Sequence, residues 1–291
     1  MNYSLAPEAE SVGQVLSDGI NFLESYDVEE AGLRAEWLLA SIMGISRTQL
    51  RLERDQIVDD HHSRRFDLSL RRCANGEPVQ YITGETEFFG NPLLLNETVL
   101  IPRPETERLV EIAVETVGLI EASSLMEIGT GSGCIAVSLA LKYPRLKITA
   151  VDNSDGAIKL ARQNSEKNGV EDQISFCQLD ILSDDPESQY DLIISNPPYV
   201  PLTEYALLDE TVRYFEPETA LTDGDDGLEF YRRFAKDGHR WLCPEGMVIL
   251  EVGRNDHPQK AAGLFQAEGW GRVELFEDYN RDPRVLTVKQ K

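Results

Sequence analysis

Residues 190–199 read Tyr-Asp-Leu-Ile-Ile-Ser-Asn-Pro-Pro-Tyr, an apolar run that stops at an asparagine, two prolines and an aromatic ring. Leu192, Ile193 and Ile194 fit a strand buried on both faces. Pro197 and Pro198 can neither donate to a sheet ladder nor continue it, so the chain must leave the sheet at Asn196. In an open α/β sheet, groups just past the carboxyl end of a strand face the ligand crevice, which puts Asn196 and Tyr199 there. The Asn196 side-chain oxygen and the Pro197 carbonyl are two acceptors suited to one planar amino group, on which Tyr199 could stack. They would hold its nitrogen in line with an electrophile and draw its lone pair out of conjugation. That is catalysis by positioning, and it needs no nucleophilic side chain. An Asn-Pro pair by itself is more often a turn capping a strand. The chemical reading requires a cofactor motif upstream.

Such a motif lies at residues 125–136, Leu-Met-Glu-Ile-Gly-Thr-Gly-Ser-Gly-Cys-Ile-Ala, which reads as strand, glycine loop and helix start. Gly129, Gly131 and Gly133 let the backbone approach a ligand closely, and the helix N-terminus adds positive partial charge. A dinucleotide loop wants Gly-x-Gly-x-x-Gly, but here the third glycine comes one residue early. With Glu127 two residues before Gly129, that departure argues against a pyrophosphate and for a nucleoside carrying a positive sulfur. Asp152 ends the next expected strand, 23 residues after Gly129, where a carboxylate can accept both ribose hydroxyls. After the third strand, Asp180 could accept from an adenine amino group while Ile181 packs on the ring.

These residues need a scaffold that brings strand ends together. From Ser123 onward strands and helices alternate: strand 125–128, helix 133–141, strand 148–151, helix 155–168, strand 174–178, strand 190–195, helix 227–240, strand 247–252 and helix 257–268. This predicts a mostly parallel sheet with helices on both faces. Strands at 273–276 and 285–288 have no helix between them, so the last pair is expected to be antiparallel. Ahead of the sheet, residues 11–75 carry apolar residues at helical spacing, including Val12, Val15, Leu16, Leu23, Trp37 and Leu38. The last of these helices spans about 60–74 and is closed by Asn75-Gly76. Between the two regions, Val79–Ile82, Glu87–Phe89, Leu93–Leu95 and Val99–Ile101 read as strands and turns of a hairpin. Pro102 to Glu107 then opens a helix.

The 291 residues suffice for about two domains. Their formal net charge of −23 would repel a polyanion, which weighs against nucleic-acid binding. Arg64, Arg65, Arg71 and Arg72 form the one basic cluster and read as a solvated helix face. No apolar run approaches the ~20 residues that span a bilayer, and the N-terminus lacks signal-peptide character. A soluble, cytoplasmic protein is expected. Four scattered cysteines read as buried free thiols, and no cysteine or histidine spacing suggests a metal site.

Taken together, the glycine loop, Asp152, Asp180 and Asn-Pro-Pro-Tyr resemble class I S-adenosylmethionine-dependent methyltransferases acting on amino or amide nitrogens. Residues 78–84 (Pro-Val-Gln-Tyr-Ile-Thr-Gly), 99–107 (Val-Leu-Ile-Pro-Arg-Pro-Glu-Thr-Glu) and 223–228 (Asp-Gly-Asp-Asp-Gly-Leu) narrow the resemblance to the HemK/PrmC family. It implies a Rossmann-like, seven-stranded α/β methyltransferase sheet with the last strand antiparallel. The expected domains are a helical bundle at 1–76 that docks a peptide chain release factor, a linking β-hairpin at 77–102 and the methyltransferase domain at 103–291. The implied reaction is transfer of a methyl group from S-adenosyl-L-methionine to the glutamine amide of the release factor's Gly-Gly-Gln motif. The resemblance makes Glu127, Gly129, Thr130, Gly131, Ser132, Gly133, Asp152, Asp180, Ile181 and Asn196 the cofactor set, and Asn196, Pro197, Pro198 and Tyr199 the grip on the glutamine. Three rivals remain: a DNA or RNA adenine or cytosine amino-methyltransferase, disfavoured by charge; a protein that keeps cofactor without chemistry, for which a damaged motif would be expected; and a nicotinamide oxidoreductase, which lacks its pyrophosphate loop.

Overall fold

The computed structural model describes residues 10–291, and the chain divides into two compact units, Met1–Gly84 and Glu85–Lys291. The first unit is helical: α1 (Val12–Ser25), α2 (Ala31–Met43), α3 (Arg47–Leu52), α4 (Asp60–Ala74) and α5 (Val79–Thr83). Ser11 caps α1 in a capping box with Gln14, Asp59 caps α4, and Gly44 ends α2 in the left-handed conformation. Val12, Leu23, Ala35, Leu38, Leu39, Leu50 and Phe66 form its core. A Cβ at Gly19 would stand 2.6 Å from the Phe66 ring, so this glycine is what lets α1 close on α4. Trp37 differs from the helical-spacing expectation, for it is 38% exposed and lies under the Arg47 guanidinium. Arg64, Arg65, Arg71 and Arg72 are exposed, with Arg72 paired to Glu77.

Residues 79–82 correct the sequence reading, being helical rather than extended. Pro78 precedes this single helical turn and Gly84 ends it in the left-handed region, so two local signals override the β-branched composition. The hairpin itself is confined to β1 (Glu85–Phe88) and β2 (Asn91–Leu94), and residues 99–101 form no strand. Among the cysteines, Cys73 and Cys134 are buried, whereas Cys177 is exposed, contrary to expectation.

The second unit continues with α6 (Pro104–Ile120), β3 (Ser124–Ile128), α7 (Cys134–Lys142), β4 (Lys147–Asp152), α8 (Asp155–Lys167), β5 (Ile174–Gln178) and β6 (Tyr190–Ser195). An excursion holding the short helices α9 (Leu202–Tyr205) and α10 (Glu210–Phe215) leads to α11 (Glu229–Trp241), β7 (Leu242–Glu251), α12 (His257–Ala267), β8 (Arg272–Glu277) and β9 (Pro283–Lys289). The seven strands run in the order β5-β4-β3-β6-β7-β9-β8, with β9 antiparallel to both neighbours as the helix-free final pair predicts. Central strands alternate between two cores: Leu125, Leu192, Ile194 and Ile249 pack on one face, Met126, Ile193, Val248 and Leu250 on the other. Helices cover both faces, which is why these strands are continuously apolar.

Strand order reverses beside β3, so a crevice opens at the carboxyl ends of β3, β4 and β6. Register sets its floor. Ile128 pairs with Ser195 and Ser195 with Leu250, so the residues that follow, Gly129, Asn196 and Glu251, emerge level with one another. The buried Ser195 hydroxyl donates to the Ile128 carbonyl at 2.7 Å and locks the first two ends together. Among the described residues, no helix is long and apolar enough to cross a membrane.

Candidate active site

The glycine loop leaves β3 and is at once tied to β4. Gly129 and Thr130 donate their N–H groups to the Val151 carbonyl at 2.8 and 3.0 Å. Gly131 N–H then donates to Asp152 Oδ2, and Ser154 N–H to Asp152 Oδ1, each at 2.9 Å. Asp152 is thereby clamped from both sides while its remaining lone pairs stay available. Burial pushes its pKa up, and these N–H groups oppose the rise. Gly131 has φ +55°, and a Cβ there would stand in open space, so the loop presents bare backbone to the crevice.

Gly129, Thr130, Gly131, Ser132, Asp152, Asp180, Ile181, Asn196, Pro197 and Pro198 line one pocket. Two acids and the apolar Ile181, Leu179 and Ala157 in the same wall suit a ribose and an aromatic base, so the residues present fit a nucleoside donor. The other two members of the expected cofactor set stand elsewhere. Gly133 does not line the pocket; a Cβ on it would meet the Ala161 Cβ at 3.0 Å, so its smallness serves the packing of α7 on α8. Glu127 is fully buried beneath the loop, where Thr130 Oγ1 donates to its Oε2 at 2.7 Å. Burial pushes Glu127 up to about 8.

The acceptor side rests on residues far apart in sequence. Asn196 Nδ2 donates to Thr106 Oγ1 at 3.2 Å, and Thr106 Oγ1 donates in turn to Glu251 Oε2 at 2.7 Å. The Tyr199 hydroxyl donates to the other carboxylate oxygen, Oε1, at 3.1 Å. Burial pushes Glu251 up to about 7, against the lowering effects of Thr106, Arg284 and Tyr199. Burial also pushes the Tyr199 phenol well up. With its amino end bonded to Thr106, the Asn196 amide keeps its carbonyl oxygen as an acceptor.

Tyr199 does not line the pocket that Asn196 lines. It lines an adjoining cavity of about 600 Å³, with Glu251, Arg284 and His257 in the walls. Arg103 lines both cavities, and its guanidinium is held by the buried Glu216, which also accepts from Ile101 N–H at 3.2 Å.

Backbone packing fixes the course of Asn-Pro-Pro-Tyr. A Cβ at Gly227 would fall 2.3 Å from the Tyr199 carbonyl oxygen, so only glycine fits behind the knuckle. Asp223 shapes the turn that carries Gly227, accepting from Gly227 N–H at 3.0 Å and Glu229 N–H at 2.9 Å. His257 then bridges: its Nδ1 accepts from Gly253 N–H at 3.1 Å, so Nε2 carries the proton and donates to the Gly227 carbonyl at 2.9 Å. On the donor side, fully buried Asn164 has a similar task. Its Nδ2 donates to the carbonyls of Ser132 and Leu94, tying the glycine loop to the hairpin.

Thr106, Glu251, Asn164 and His257 were not singled out as site residues in the sequence. Thr106 looked like part of a helix start and Glu251 like the end of an apolar strand. The available signal for Glu251 was an acid at the carboxyl end of a central strand, the same signal that marks Asp152.

Two family models match the chain: PrmC N-terminal domain over residues 14–84 and Methyltransferase small domain over residues 107–213. Among solved structures, the hMettl16 catalytic domain is similar with a TM-score of 0.56 at 17% identity, covering 79% of this chain and 82% of that one. A methyltransferase from Pyrococcus furiosus gives 0.50 at 18% identity, over 70% of this chain and 90% of its own. At such identities these likenesses show the fold alone. Sequence relatives reach further. The release factor glutamine methyltransferase of Chlorobaculum tepidum is 38% identical over 288 residues, covering 95% of this chain and 96% of its own. Those of Koribacter versatilis and Bacillus subtilis are 37% and 34% identical, over 98% and 97% of their lengths. With 94–95% of this chain covered at 34–38% identity, the chain belongs to the release factor glutamine methyltransferase family.

Proposed function

We propose that the chain transfers a methyl group from S-adenosyl-L-methionine to the side-chain amide nitrogen of the glutamine in the Gly-Gly-Gln motif of peptide chain release factors, and so acts on translation termination. The donor supplies an electrophilic methyl group on a positive sulfur. Gly129 to Ser132, Asp152, Asp180 and Ile181 would hold it, with the two acids as acceptors for its ribose and base. Asn196 Oδ1 and the Pro197 carbonyl accept the two hydrogens of the glutamine amide, which turns the nitrogen lone pair toward the methyl group. The carbon–sulfur bond would break as the carbon–nitrogen bond forms, and the amide proton would leave by solvent or a nearby carbonyl. Losing one preorganised hydrogen-bonding group of this kind costs on the order of 10²–10³ in kcat. Tyr199 closes the acceptor side from the neighbouring cavity rather than by stacking inside the donor pocket.

The observation that carries this reading is the Asn196 amide bonded to Thr106 in the wall of the pocket that Asp152, Asp180 and Ile181 also line, because that amide offers an acceptor and no nucleophile. The formal charge of −23 favours a protein substrate over a nucleic acid. A docking role for the first unit, which matches the PrmC N-terminal domain, belongs to the same proposal. A cytoplasmic location follows from the substrate. A transfer assay with labelled donor tests the proposal, with release factor in one arm and DNA or RNA in the other. Label on the factor alone is expected; label on nucleic acid alone would overturn the reading.

A further inference from the structure

Glu251 is 1% exposed, and its carboxylate collects two hydroxyl donors from separate parts of the chain. A carboxylate has only acceptors, so both Thr106 and Tyr199 must spend their single hydroxyl hydrogen on it. Thr106 Oγ1 then has only lone pairs left for Asn196. The asparagine must therefore meet it with Nδ2, and its oxygen is turned to the substrate side. We propose that Glu251 is a positioning residue: through Thr106 it dictates which end of the Asn196 amide faces the methyl acceptor, and through Tyr199 it fixes the far end of the same knuckle. The inference rests on the reading that Asn196 grips the glutamine amide.

A neutral partner at this position would reverse the polarity. A protonated Glu251, or a glutamine in its place, offers a hydrogen to Thr106. The threonine hydrogen is then released toward Asn196, which would satisfy it best with Oδ1, the end the substrate needs. The groups facing the carboxylate are Glu105 and Thr106 from α6, Cys134 from α7, Tyr199 from the knuckle, Tyr231 from α11 and Arg284 from β9. Of these, Arg284 alone is cationic, and it favours the charged form of Glu251. Burial holds Glu251 up to about 7, so the ionised form is lost as pH falls through that value.

The test is steady-state methylation of a purified release factor by the full chain, with donor affinity measured by calorimetry. Thr106→Val keeps the side-chain shape but removes the hydroxyl. It is expected to lower kcat by roughly 30- to 100-fold while donor Kd changes less than about threefold, and Thr106→Ser to recover to within about fivefold of the parent. Glu251→Gln should lower kcat similarly and remove the acid limb of the kcat–pH profile, which a merely structural role would leave in place. Parental rates and an intact acid limb in Thr106→Val and Glu251→Gln, with Asn196→Ala inactive, would overturn the inference and leave the proposed function standing. An Asn196→Ala variant as fast as the parent would overturn both.

Discussion

The two halves of the site are built by different means. Donor-side polar contacts are largely made by the backbone of the loop: Gly129 and Thr130 N–H to the Val151 carbonyl and Gly131 N–H to Asp152, with the Asn164 side chain bracing Ser132 against Leu94. On the acceptor side, Asn196 leans on Thr106, Thr106 on Glu251, and Tyr199 on Glu251, partners 90, 145 and 52 residues apart. The donor half is thus a backbone device that a short motif can specify. The acceptor half is assembled by sheet register, which brings Asn196 and Glu251 level at the ends of adjacent strands. A backbone device should respond to substitution through donor affinity, and a register-assembled one through turnover.

The largest contrast is expected at Asn196. Asn196→Ala should lower kcat by about 10³ or more with donor Kd within about threefold, measured by transfer kinetics and calorimetry. Matched losses in both quantities would erase the distinction between the halves. Asp152→Ala should do the reverse, raising donor Kd by roughly 100-fold through loss of two hydroxyl acceptors. Its kcat at saturating donor should stay near the parent's.

Glycines allow a finer comparison, because Gly131 and Gly227 both have positive φ but different surroundings. Gly227→Ala forces a Cβ to 2.3 Å from the Tyr199 carbonyl oxygen, which is fixed backbone. It should cost more than about 2 kcal/mol in denaturant unfolding and lower kcat as well. Gly131→Ala meets nothing within 4 Å and should cost only about 1 kcal/mol, yet weaken donor binding. Equal destabilisation by both would contradict the distinction.

A last contrast concerns Glu127. Its pKa is raised by burial from 4.5 to about 8 in the folded state, so the folded protein binds the extra proton between those values. The stability this contributes is complete below the unfolded pKa and is lost as pH rises through the folded one. Glu127→Gln should therefore gain on the parent by roughly 3 kcal/mol in unfolding free energy between pH 5.5 and pH 8. A constant difference across that range would mean that Glu127 is ionised in the native protein.

Much of this was legible in the sequence because it is local. The strand-loop-helix at 124–142, the acids ending β4 and following β5, and the halt at Asn196 all announce themselves through period and punctuation. What was not legible depends on tertiary register or on competing local signals. Thr106 and Glu251 acquire meaning only when β3, β6 and β7 align. Gly133 carries the same motif signature as Gly131, yet faces Ala161 instead of the pocket. Tyr199 follows two residues behind Pro197, and that is enough to carry it into the second cavity. At residues 79–82 the β-branched composition points to a strand, whereas the flanking Pro78 and Gly84 set the helical turn.

The most direct test is mass spectrometry of a release factor incubated with the chain and S-adenosyl-L-methionine, with fragmentation across its Gly-Gly-Gln peptide. One added methyl group on the glutamine side chain is expected with the parent, and none with Asn196→Ala. A parent reaction that leaves this glutamine unmodified, or places the methyl group on another residue, would contradict the account.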